Sequence, residues 1–345
     1  MTGPIAIALS GGIDSLVAAF LLKKQAKEVF GLHFLTGFEK PNDPGPAQIQ
    51  ALFKPLDIPV QVVDLKAPFR KAVVDYFSVA YQNGETPNPC LVCNPTIKFG
   101  VLLQKAIQLG ATHLATGHYA RVETDAAGRY RLLKGVDSGK DQSYFLARLN
   151  RDQLARACFP LGPWTKERVR ALAAEKGLAP VARAESQDVC FVRDSSYADF
   201  LVQTIGIAPR PGEIVDTQGR RVGTHQGLHR YTVGQRRGIN CPASRPYYVI
   251  RIDARHNRLV VGFKEERYTF RCRVRTINWI VDAPEGPLAV DTRIRYRHQA
   301  AASTVTPDER GGATVRFQQP QSSVTPGQGA VFYRGEEVIG GGWIA

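Results

Sequence analysis

A pair of glycines between an apolar run and an amphipathic segment is the feature that most constrains how this chain can fold. The run IAIA (Ile5 to Ala8) leads directly into LSGGIDSLVAAFLL (Leu9 to Leu22), whose apolar residues recur on one face of a helix. A buried strand that turns through two glycines into a helix is typical of an α/β domain. Such a turn brings backbone N–H groups and the positive end of the helix dipole to one point. The stretch therefore predicts an anion-binding turn.

The turn lacks the signatures of two common phosphate-binding loops. No lysine follows Gly12, as a P-loop requires, and the G-x-G-x-x-G pattern of dinucleotide-binding folds is absent. What remains is S-G-G-x-D-S, in which the hydroxyls of Ser10 and Ser15 can donate to phosphate oxygens. Asp14 can cap the turn or help hold Mg²⁺. The pattern predicts a site for a phosphate-bearing ligand, and the alternative is an ordinary strand-to-helix turn with a serine–aspartate cap.

Apolar runs and helical stretches continue to alternate as far as Thr116. The runs VFGLHF, VQVVDL and HLATG are typical of buried parallel strands, and PTIKFGVLLQKAIQLG is typical of a helix that ends at Gly110. This alternation predicts an α/β fold with a doubly wound parallel sheet. In such sheets ligands bind beyond the carboxyl ends of the strands, where the glycine turn lies.

The second half of the chain has a different pattern. From Gly212 to Ala345 helical periodicity nearly vanishes, and short strand-like runs alternate with Gly and Pro turns. We expect a small β-rich central module followed by a compact antiparallel barrel. RYRLLKG (Arg129 to Gly135) resembles one arm of a hairpin within the first half. The predicted domains are residues 1–198, 199–266 and 267–345.

The charge balance favours a polyanionic partner. The 345 residues include 45 Lys and Arg against 31 Asp and Glu, a net charge of +14. Between Thr217 and Ile252 there is no acidic residue, while His225, His229 and Tyr231 are interleaved with arginines. These arginines are Arg220, Arg221, Arg230, Arg236, Arg237, Arg245 and Arg251. We expect the central module to bind a nucleic-acid backbone, because each phosphate that a protein neutralises releases counterions. A solvated arginine face is the alternative.

The chain shows neither an export signal nor a membrane span. No basic-then-apolar leader precedes Ile5, and no apolar run approaches the roughly 20 residues of a membrane-spanning helix. We therefore expect a cytoplasmic protein, in which clustered cysteines indicate redox chemistry or metal binding. Cys158, Cys241 and Cys272 stand singly and are expected to be small buried hydrophobes.

The other cysteines are clustered with polar or helix-forming residues. Cys90 and Cys93 form a C-x-x-C in TPNPCLVCNPTIKFG, close to a predicted helix start. The helix dipole and the nearby Lys98 are expected to favour their thiolates. Cys190 stands in ESQDVCFV, close in sequence to Glu185 and Asp188.

The glycine turn resembles the PP-loop of the ATP pyrophosphatases, which cleave ATP between the α and β phosphates and transfer AMP to a substrate oxygen. Further motifs narrow the resemblance: the C-x-x-C segment, ATGHYAR, GKDQSYFL, ESQDVCFV, YTVGQRRG and the closing PGQGAVFYRGEEVIGGGWI. Together and in this order they resemble the tRNA-specific 2-thiouridylases over nearly the whole chain. Those enzymes replace oxygen by sulfur at C2 of the wobble uridine.

The resemblance implies ATP and Mg²⁺ as ligands, and the anticodon region of tRNA and an upstream sulfur donor as partners. The nucleophile position falls on Cys93 and the persulfide-bearing position on Cys190. The ATP-binding positions fall on Ala8, Leu9, Ser10, Gly11, Gly12, Ile13, Asp14, Ser15, Phe34 and Gly117. The target-base segment matches Asn88, Pro89 and Cys90. The tRNA-contacting positions match Lys140, Asp141, Gln142, Arg295 and Tyr296, and we add Arg236 and Arg237 from the basic central stretch.

One departure leaves the sulfur chemistry open. Many relatives have Asp where this chain has Cys90, so an acid–base role at that position is in doubt. Cys90, Cys93 and Cys190 could instead ligate a 4Fe–4S cluster whose fourth iron binds sulfide. Zinc fits less well, because a structural site wants four protein ligands. Two other functions stay open: a PP-loop enzyme that adenylates a small molecule, and a non-catalytic RNA-binding or sulfur-carrier protein.

A second departure concerns the segment between Phe34 and Val60. Relatives often carry a longer, cysteine-bearing insert there, whereas this segment is short and rich in Pro and Gly. We expect only a weak helix in it.

Overall fold

The computed structural model describes residues 3–25, 28–181, 189–192 and 196–345. The α-helices are α1 (Ile13–Gln25), α2 (Pro46–Phe53), α3 (Lys66–Phe69), α4 (Asp75–Gln82), α5 (Cys90–Cys93), α6 (Leu103–Gln108), α7 (Ser143–Leu146), α8 (Arg151–Ala155), α9 (Lys166–Glu175) and α10 (Tyr197–Gln203). The 3₁₀ turns span Lys54–Leu56, Leu228–Arg230 and Lys264–Arg267. The π-helical turns Arg70–Val74 and Asn94–Leu102 join their flanking helices into continuous segments over 66–82 and 90–108.

The strands follow in chain order. They are β1 (Ile5–Ala8), β2 (Val29–Leu35), β3 (Val60–Asp64), β4 (His113–Ala115), β5 (Ala120–Thr124), β6 (Tyr130–Lys134), β7 (Ala157–Cys158), β8 (Gly212–Asp216), β9 (Arg221–His225), β10 (Tyr248–Asp253), β11 (Arg258–Gly262), β12 (Tyr268–Trp279), β13 (Leu288–Arg293), β14 (Ala301–Pro307), β15 (Ala313–Ser322), β16 (Gly329–Arg334) and β17 (Glu337–Ile344).

The first part of the chain forms a parallel sheet in the order β3-β2-β1-β4-β7. β1 pairs with β2 on one side and with β4 on the other, so the strand order reverses between β1 and β4. The prediction of a doubly wound sheet is confirmed. The turn after β1 and the loop after β4 lie side by side at the crevice where such folds bind ligands.

Both faces of this sheet are covered by helices. Ala6 packs into one apolar cluster with the helical segments 66–82 and 90–108, while Ile5 and Ile7 pack into another with α1, α2 and α9. These three strand residues are at most 1% exposed. Burial on both faces explains why β1 is apolar throughout rather than alternating with polar residues.

The short segment between β2 and β3 contains a well-packed helix. In α2, Ile49 and Phe53 are fully buried. The Ile49 side chain lies 2.6 Å from the position that a Cβ on Gly11 would occupy. The expectation of a weak helix is therefore corrected: two large apolar side chains compensate for the Pro and Gly content by packing against the glycine turn.

The second half of the chain forms two β-rich parts. The central module is a sheet in the order β10-β11-β8-β9, and the barrel follows in the order β12-β15-β14-β13-β16-β17, closed by antiparallel pairing of β12 with β17. The predicted antiparallel barrel is confirmed. The predicted hairpin arm is β6, which pairs with β5 but joins the barrel rather than the parallel sheet. Leu132 and Leu133 of β6 pair with Val338 and Glu337 of β17.

Within the described ranges, no helix combines the length and the apolar character needed to cross a membrane.

Candidate functional site

The predicted anion-binding turn connects β1 to α1. Gly11 has a φ of +76°, a conformation that residues with a side chain rarely adopt. The Ser15 hydroxyl donates to the carbonyl oxygen of Gly12 at 2.9 Å and lies 3.3 Å from the Ser10 hydroxyl. The buried Ser15 therefore braces the turn from inside, while Ser10 is exposed and Gly12 and Ile13 are partly exposed. The positions from Ala8 to Ser15 form one continuous segment at the edge of the crevice.

Asp14 is held by two residues that are distant in sequence. Its carboxylate accepts hydrogen bonds from Lys166 Nζ at 2.7 and 2.8 Å and from the Tyr119 hydroxyl at 2.7 Å. The Lys166 side chain is only 6% exposed, at the start of α9, where the Thr165 hydroxyl caps the helix. The carboxylate thus pairs with Lys166 instead of capping its own turn. Its oxygens remain the donor type that Mg²⁺ prefers.

Gly117, after β4, lies against the start of α1. A Cβ on Gly117 would lie 3.0 Å from the carbonyl carbon of Asp14 and 3.1 Å from the amide nitrogen of Ser15, so this close approach requires glycine. Phe34 is half-buried near the end of β2. The predicted nucleotide-binding residues therefore lie at the carboxyl edge of the neighbouring strands β2, β1 and β4.

The three clustered thiols share one cleft. Cys90 and Cys93 are half-buried on α5, which starts after Pro89, and Cys190 is exposed. Burial raises the pKa of Cys90 to about 11, and Cys190 contributes to the rise while Lys98 opposes it. Burial raises the pKa of Cys93 to about 12 against the opposing charge of Lys98, with Cys190 and Cys90 adding smaller increases.

These pKa shifts correct one expectation and support another. The helix start and Lys98 do not favour the thiolates overall, because burial outweighs both. Cys190, on the other hand, is close enough to Cys90 and Cys93 to influence the pKa of each. Glu185 and Asp188, the polar neighbours of Cys190 in sequence, lie outside the described residues.

Lys98 connects the thiols to the nucleotide crevice through His118. The Nζ atom of Lys98 lies 3.4 Å from Nε2 of His118, and Nδ1 of His118 lies 2.6 Å from the Thr116 hydroxyl. Burial, followed by the charge of Lys98, holds the pKa of His118 well below its usual value, so the ring is neutral. Since an ammonium can only donate, Nε2 accepts and Nδ1 carries the proton. His118 directly follows Gly117, so one short path joins the glycine turn to the thiols.

The predicted target-base segment is fixed by the barrel. Asn88 is buried, and its side chain lies close enough to the Tyr144 hydroxyl to lower the pKa of that group slightly against the dominant effect of burial. Gln328, between β15 and β16, donates to the carbonyl oxygens of Thr86 and Pro87 at 3.0 and 3.3 Å. Asn88, Pro89 and Cys90 therefore lead into α5 on a loop that the last domain holds in place.

The two predicted tRNA-contacting segments meet at one buried ion pair. Asp141 is 4% exposed, and its carboxylate accepts from Arg293 at 2.8 Å and from the amides of Gly135 and Ser143. Arg293 also donates to the carbonyl oxygen of Tyr296 at 2.6 Å. The ring of Tyr296 packs on Phe145 with centroids 4.3 Å apart.

The neighbours of Asp141 and Tyr296 in these segments are more accessible. Gln142 accepts from the amide of Tyr119 and is half-buried, as is Lys140. Arg295 is exposed, and it donates to the carbonyl oxygen of Ser322 at 3.3 Å. The structure thus brings the Lys140–Gln142 and Arg295–Tyr296 segments together at the junction of the first domain and the barrel.

Arg236 and Arg237 lie on the central module, where both are exposed. They line a cavity of about 300 Å³ together with Asn240, Cys241 and Tyr247. Cys241 is accordingly half-buried rather than buried, whereas Cys158 and Cys272 are buried as expected.

Part of the basic central stretch serves the module itself. His225, His229 and Tyr231, which are interleaved with these arginines in sequence, are buried. Three of the arginines have acidic partners just outside the stretch: Arg220 pairs with Asp216, Arg245 with Glu265 and Arg251 with Asp253. The stretch that has no acidic residue in sequence is therefore partly neutralised by acidic residues that lie near it in the folded protein.

Several residues around the site were not predicted. His118 and Tyr119 directly follow Gly117 in ATGHYAR, and their position after a strand end was an available signal. Lys166 and Arg293 offered none, because each meets its carboxylate partner across 152 residues of sequence.

Three protein-family models match successive parts of this chain. The family model described as "tRNA methyl transferase HUP domain" matches residues 4–194, "tRNA methyl transferase PRC-barrel domain" matches 198–263, and "Aminomethyltransferase beta-barrel domain" matches 269–344. A tRNA-specific 2-thiouridylase MnmA of Desulfosudis oleivorans is 52% identical over 340 residues, covering 99% of this chain and 94% of that protein. This chain belongs to the tRNA-specific 2-thiouridylase family.

Other members of the 2-thiouridylase family are similar over the same length. The MnmA of Synechococcus sp. (strain JA-3-3Ab) is 46% identical over 98% of this chain and 92% of its own. Among solved structures, the U34-tRNA thiolase NcsA from Methanococcus maripaludis with its [4Fe-4S] cluster is 18% identical, with a TM-score of 0.37 over 59% of this chain and 67% of that one. At this level of similarity, nothing about the site of this chain is inferred from that structure.

The alternative of a metal ion or a 4Fe–4S cluster concerns the same three thiols. Among residues 3–25, 28–181, 189–192 and 196–345, no group of three His, Cys, Asp or Glu side chains is arranged to hold a metal ion. Such an arrangement is what a single ion would need; the 4Fe–4S cluster on Cys90, Cys93 and Cys190 stays a prediction, and no step is derived through one.

Proposed function

We propose that this chain is a tRNA-uridine 2-sulfurtransferase that uses ATP to replace oxygen by sulfur at C2 of the wobble uridine. Family membership supports this reaction, since its relatives carry the activity in their names. The observation that carries the proposal is the series of contacts from the nucleotide turn to Lys98, whose charge acts on the thiols. Asp14 contacts Gly117, His118 follows it, and His118 contacts Lys98, whose charge acts on Cys93.

The first step is adenylation of the uracil. The C2 oxygen attacks the α-phosphorus of ATP, and the bond to pyrophosphate breaks. The turn from Ser10 to Ser15 and the start of α1 stabilise the negative charge on the departing pyrophosphate. Asp14 would hold Mg²⁺, which when bound neutralises phosphate charge. Lys166 and Tyr119 keep the Asp14 carboxylate at the turn.

The second step is sulfur transfer. Cys190 carries a persulfide received from an upstream sulfur donor, and the Cys93 thiolate attacks its inner sulfur. A Cys93–Cys190 disulfide forms and hydrosulfide leaves; hydrosulfide then attacks C2 of the adenylated uracil, and AMP departs with the oxygen. A dithiol reductant returns both cysteines to thiols. Cys90, with Asn88 and Pro89, lines the pocket for the flipped base.

The tRNA is bound by cations of the central module, of the barrel and of the Lys140–Gln142 segment of the first domain. We assign phosphate contacts to Lys140, Arg236, Arg237 and Arg295, since phosphate contacts supply most of the binding free energy. Gln142 and Tyr296 complete this contact set at the junction of the first domain and the barrel. Asp141, buried beneath them, holds the two contact segments together through Arg293.

Mass spectrometry of nucleosides tests the proposed function. Wild-type protein incubated with ATP, Mg²⁺, a persulfide donor, a dithiol reductant and unmodified tRNA should form 2-thiouridine at the wobble position. Cys93→Ser should abolish the product, because it removes the thiol that is proposed to attack the Cys190 persulfide. Cys272→Ala, which removes a buried thiol from the barrel core, should retain it.

Two outcomes of this experiment would contradict the proposal. Absence of 2-thiouridine from aerobic and anaerobic wild-type preparations would reject the function. Iron and acid-labile sulfide are measured on the same preparations, and we expect activity without stoichiometric iron. Activity confined to preparations with three or four irons per chain would reject the persulfide route while leaving the reaction itself intact.

A further inference from the structure

Two arginines stand side by side on the outside of the barrel, and neither has an acidic partner among the residues that the structure describes. Arg271 of β12 is directly opposite Arg316 of β15 in the antiparallel register. Their neighbours Cys272 and Val315, also paired, are buried in the barrel core, so both arginines point outward, and both are exposed. Like charges directly opposite each other destabilise a sheet. An anionic ligand would remove this repulsion.

The next arginines along β12 differ in having partners. Arg273 lies 3.8 Å from Asp308, and Arg275 pairs with Glu85 at 2.5 Å. Among the described residues, no carboxylate pairs with Arg271 or Arg316. The unneutralised charge is therefore confined to one place on the strand.

Large aromatic side chains are exposed beside these arginines. Phe270 is 57% exposed and Tyr268 is 47% exposed. The register between β12 and β15 is interrupted between Thr269 and Arg271, so the exposed Phe270 lies at an irregularity of the ladder. Such irregularities commonly re-aim a side chain at a functional surface. Exposed aromatic rings among arginines are typical of surfaces that contact nucleic acid.

This surface continues into the proposed tRNA contacts. Tyr268 pairs with Ser322, whose carbonyl oxygen accepts from Arg295. The adjacent Ser323 lies against Gly234 of the central module, two residues before Arg236. The Arg271–Arg316 pair is thus joined, through one strand end, to both cationic segments that the proposed function assigns to tRNA.

We propose that the outward-facing Arg271 and Arg316, together with the exposed rings of Phe270 and Tyr268 at the same end of β12, bind the sugar–phosphate backbone of the substrate tRNA. This inference rests on the proposed function and extends its binding surface onto the side of the barrel. Each arginine contacts one phosphate, and Phe270 packs against the adjoining nucleotide. We refer to these four residues as the β12–β15 face.

The dependence of tRNA affinity on salt tests this surface. The slope of log K against log salt should become less steep by roughly 0.7 to 0.9 for Arg271→Ala or Arg316→Ala alone, and by about twice that for the double variant. Substitution of both arginines by lysine should keep the wild-type slope, because the positive charges remain. Phe270→Ala should weaken binding severalfold without changing the slope.

Arg334→Ala provides the matched control. Arg334 is exposed on β16 of the same barrel, and β16 is separated from the β12–β15 face by β13 and β14 on one side. Its removal should leave the slope unchanged. A wild-type slope in the Arg271/Arg316 double variant would overturn the proposal and leave the face to another polyanion, such as an acidic protein. If the wild-type protein forms 2-thiouridine while the double variant keeps the wild-type slope, this proposal fails and the proposed function stands.

Discussion

At the scale of single residues, the ionisation of Cys93 is decided by competition between burial and charge. Lys98 favours the thiolate, but burial raises the pKa of Cys93 to about 12. The resting thiol is therefore protonated at neutral pH, and this limits wasteful reaction of the nucleophile with oxidants.

The first prediction concerns the pH dependence of Cys93 alkylation, followed by mass spectrometry in a Cys90→Ser background. Because the pKa is raised, the thiolate fraction and the rate should increase about tenfold per pH unit between about pH 7 and 10. Lys98→Met removes the opposing positive charge, so it should raise the pKa further and slow alkylation at every pH in that range. Lys105→Met, an exposed lysine on the same helical segment, should not. Faster alkylation in Lys98→Met would show that Lys98 does not act on this thiol.

Sequence reasoning identified Cys90, Cys93 and Cys190 but misjudged their ionisation. Proximity to a helix start and to Lys98 can be read along the chain, because both lie within a few residues. Burial arises from residues far apart in sequence, because α5 packs against α7 and against the helical segment 66–82. The same limitation applies to Asp14, whose Lys166 partner nothing in the local sequence indicates.

At the scale of secondary-structure elements, the central contact is the approach of the loop after β4 to the start of α1. The strand order that creates this contact could be predicted, because alternation of strands and helices is a local pattern with few topological solutions. The tightness of the approach could not, since it depends on how closely two crossover connections pack. At Gly117 this packing leaves little room for a side chain.

The second prediction is that Gly117→Ala weakens ATP binding by about tenfold or more, measured by calorimetry without tRNA. The added methyl group would lie 3.0 to 3.2 Å from backbone atoms of Asp14 and Ser15, so the start of α1 must shift. Gly286→Ala, at a position with no atom near the added carbon, is the matched control. ATP affinity unchanged in Gly117→Ala would mean that the nucleotide does not use this turn.

At the scale of the whole molecule, the first domain and the barrel are joined by polar groups that are themselves buried. The Asp141 and Arg293 side chains are 3% and 14% exposed, and they link the Lys140–Gln142 segment to β13. Removing one partner of a buried ion pair is strongly destabilising, because the other charge is left without compensation. The pair therefore couples the stability of the first domain to the position of the barrel.

The third prediction follows from this pair. Arg293→Met should destabilise the protein by about 3 kcal/mol and lower the thermal midpoint by on the order of 5 °C. Adding Asp141→Asn should restore much of the loss, since the amide oxygen can still accept from Gly135 and Ser143. Arg334→Met controls for loss of an exposed arginine. Equal midpoints for Arg293→Met and Arg334→Met would argue against the buried pair as a connection.

The β5–β6 hairpin has a consequence for how the polypeptide is made. Leu132 pairs with Val338, so roughly 200 residues must be translated after the hairpin before its partner strand exists. At about 5 to 20 residues per second, the ribosome needs roughly 10 to 40 s for that stretch. Throughout this interval β6 presents a bare edge to other nascent chains, and aggregation is most probable then. Fragments ending before β17 should therefore depend on chaperones that the complete polypeptide can dispense with.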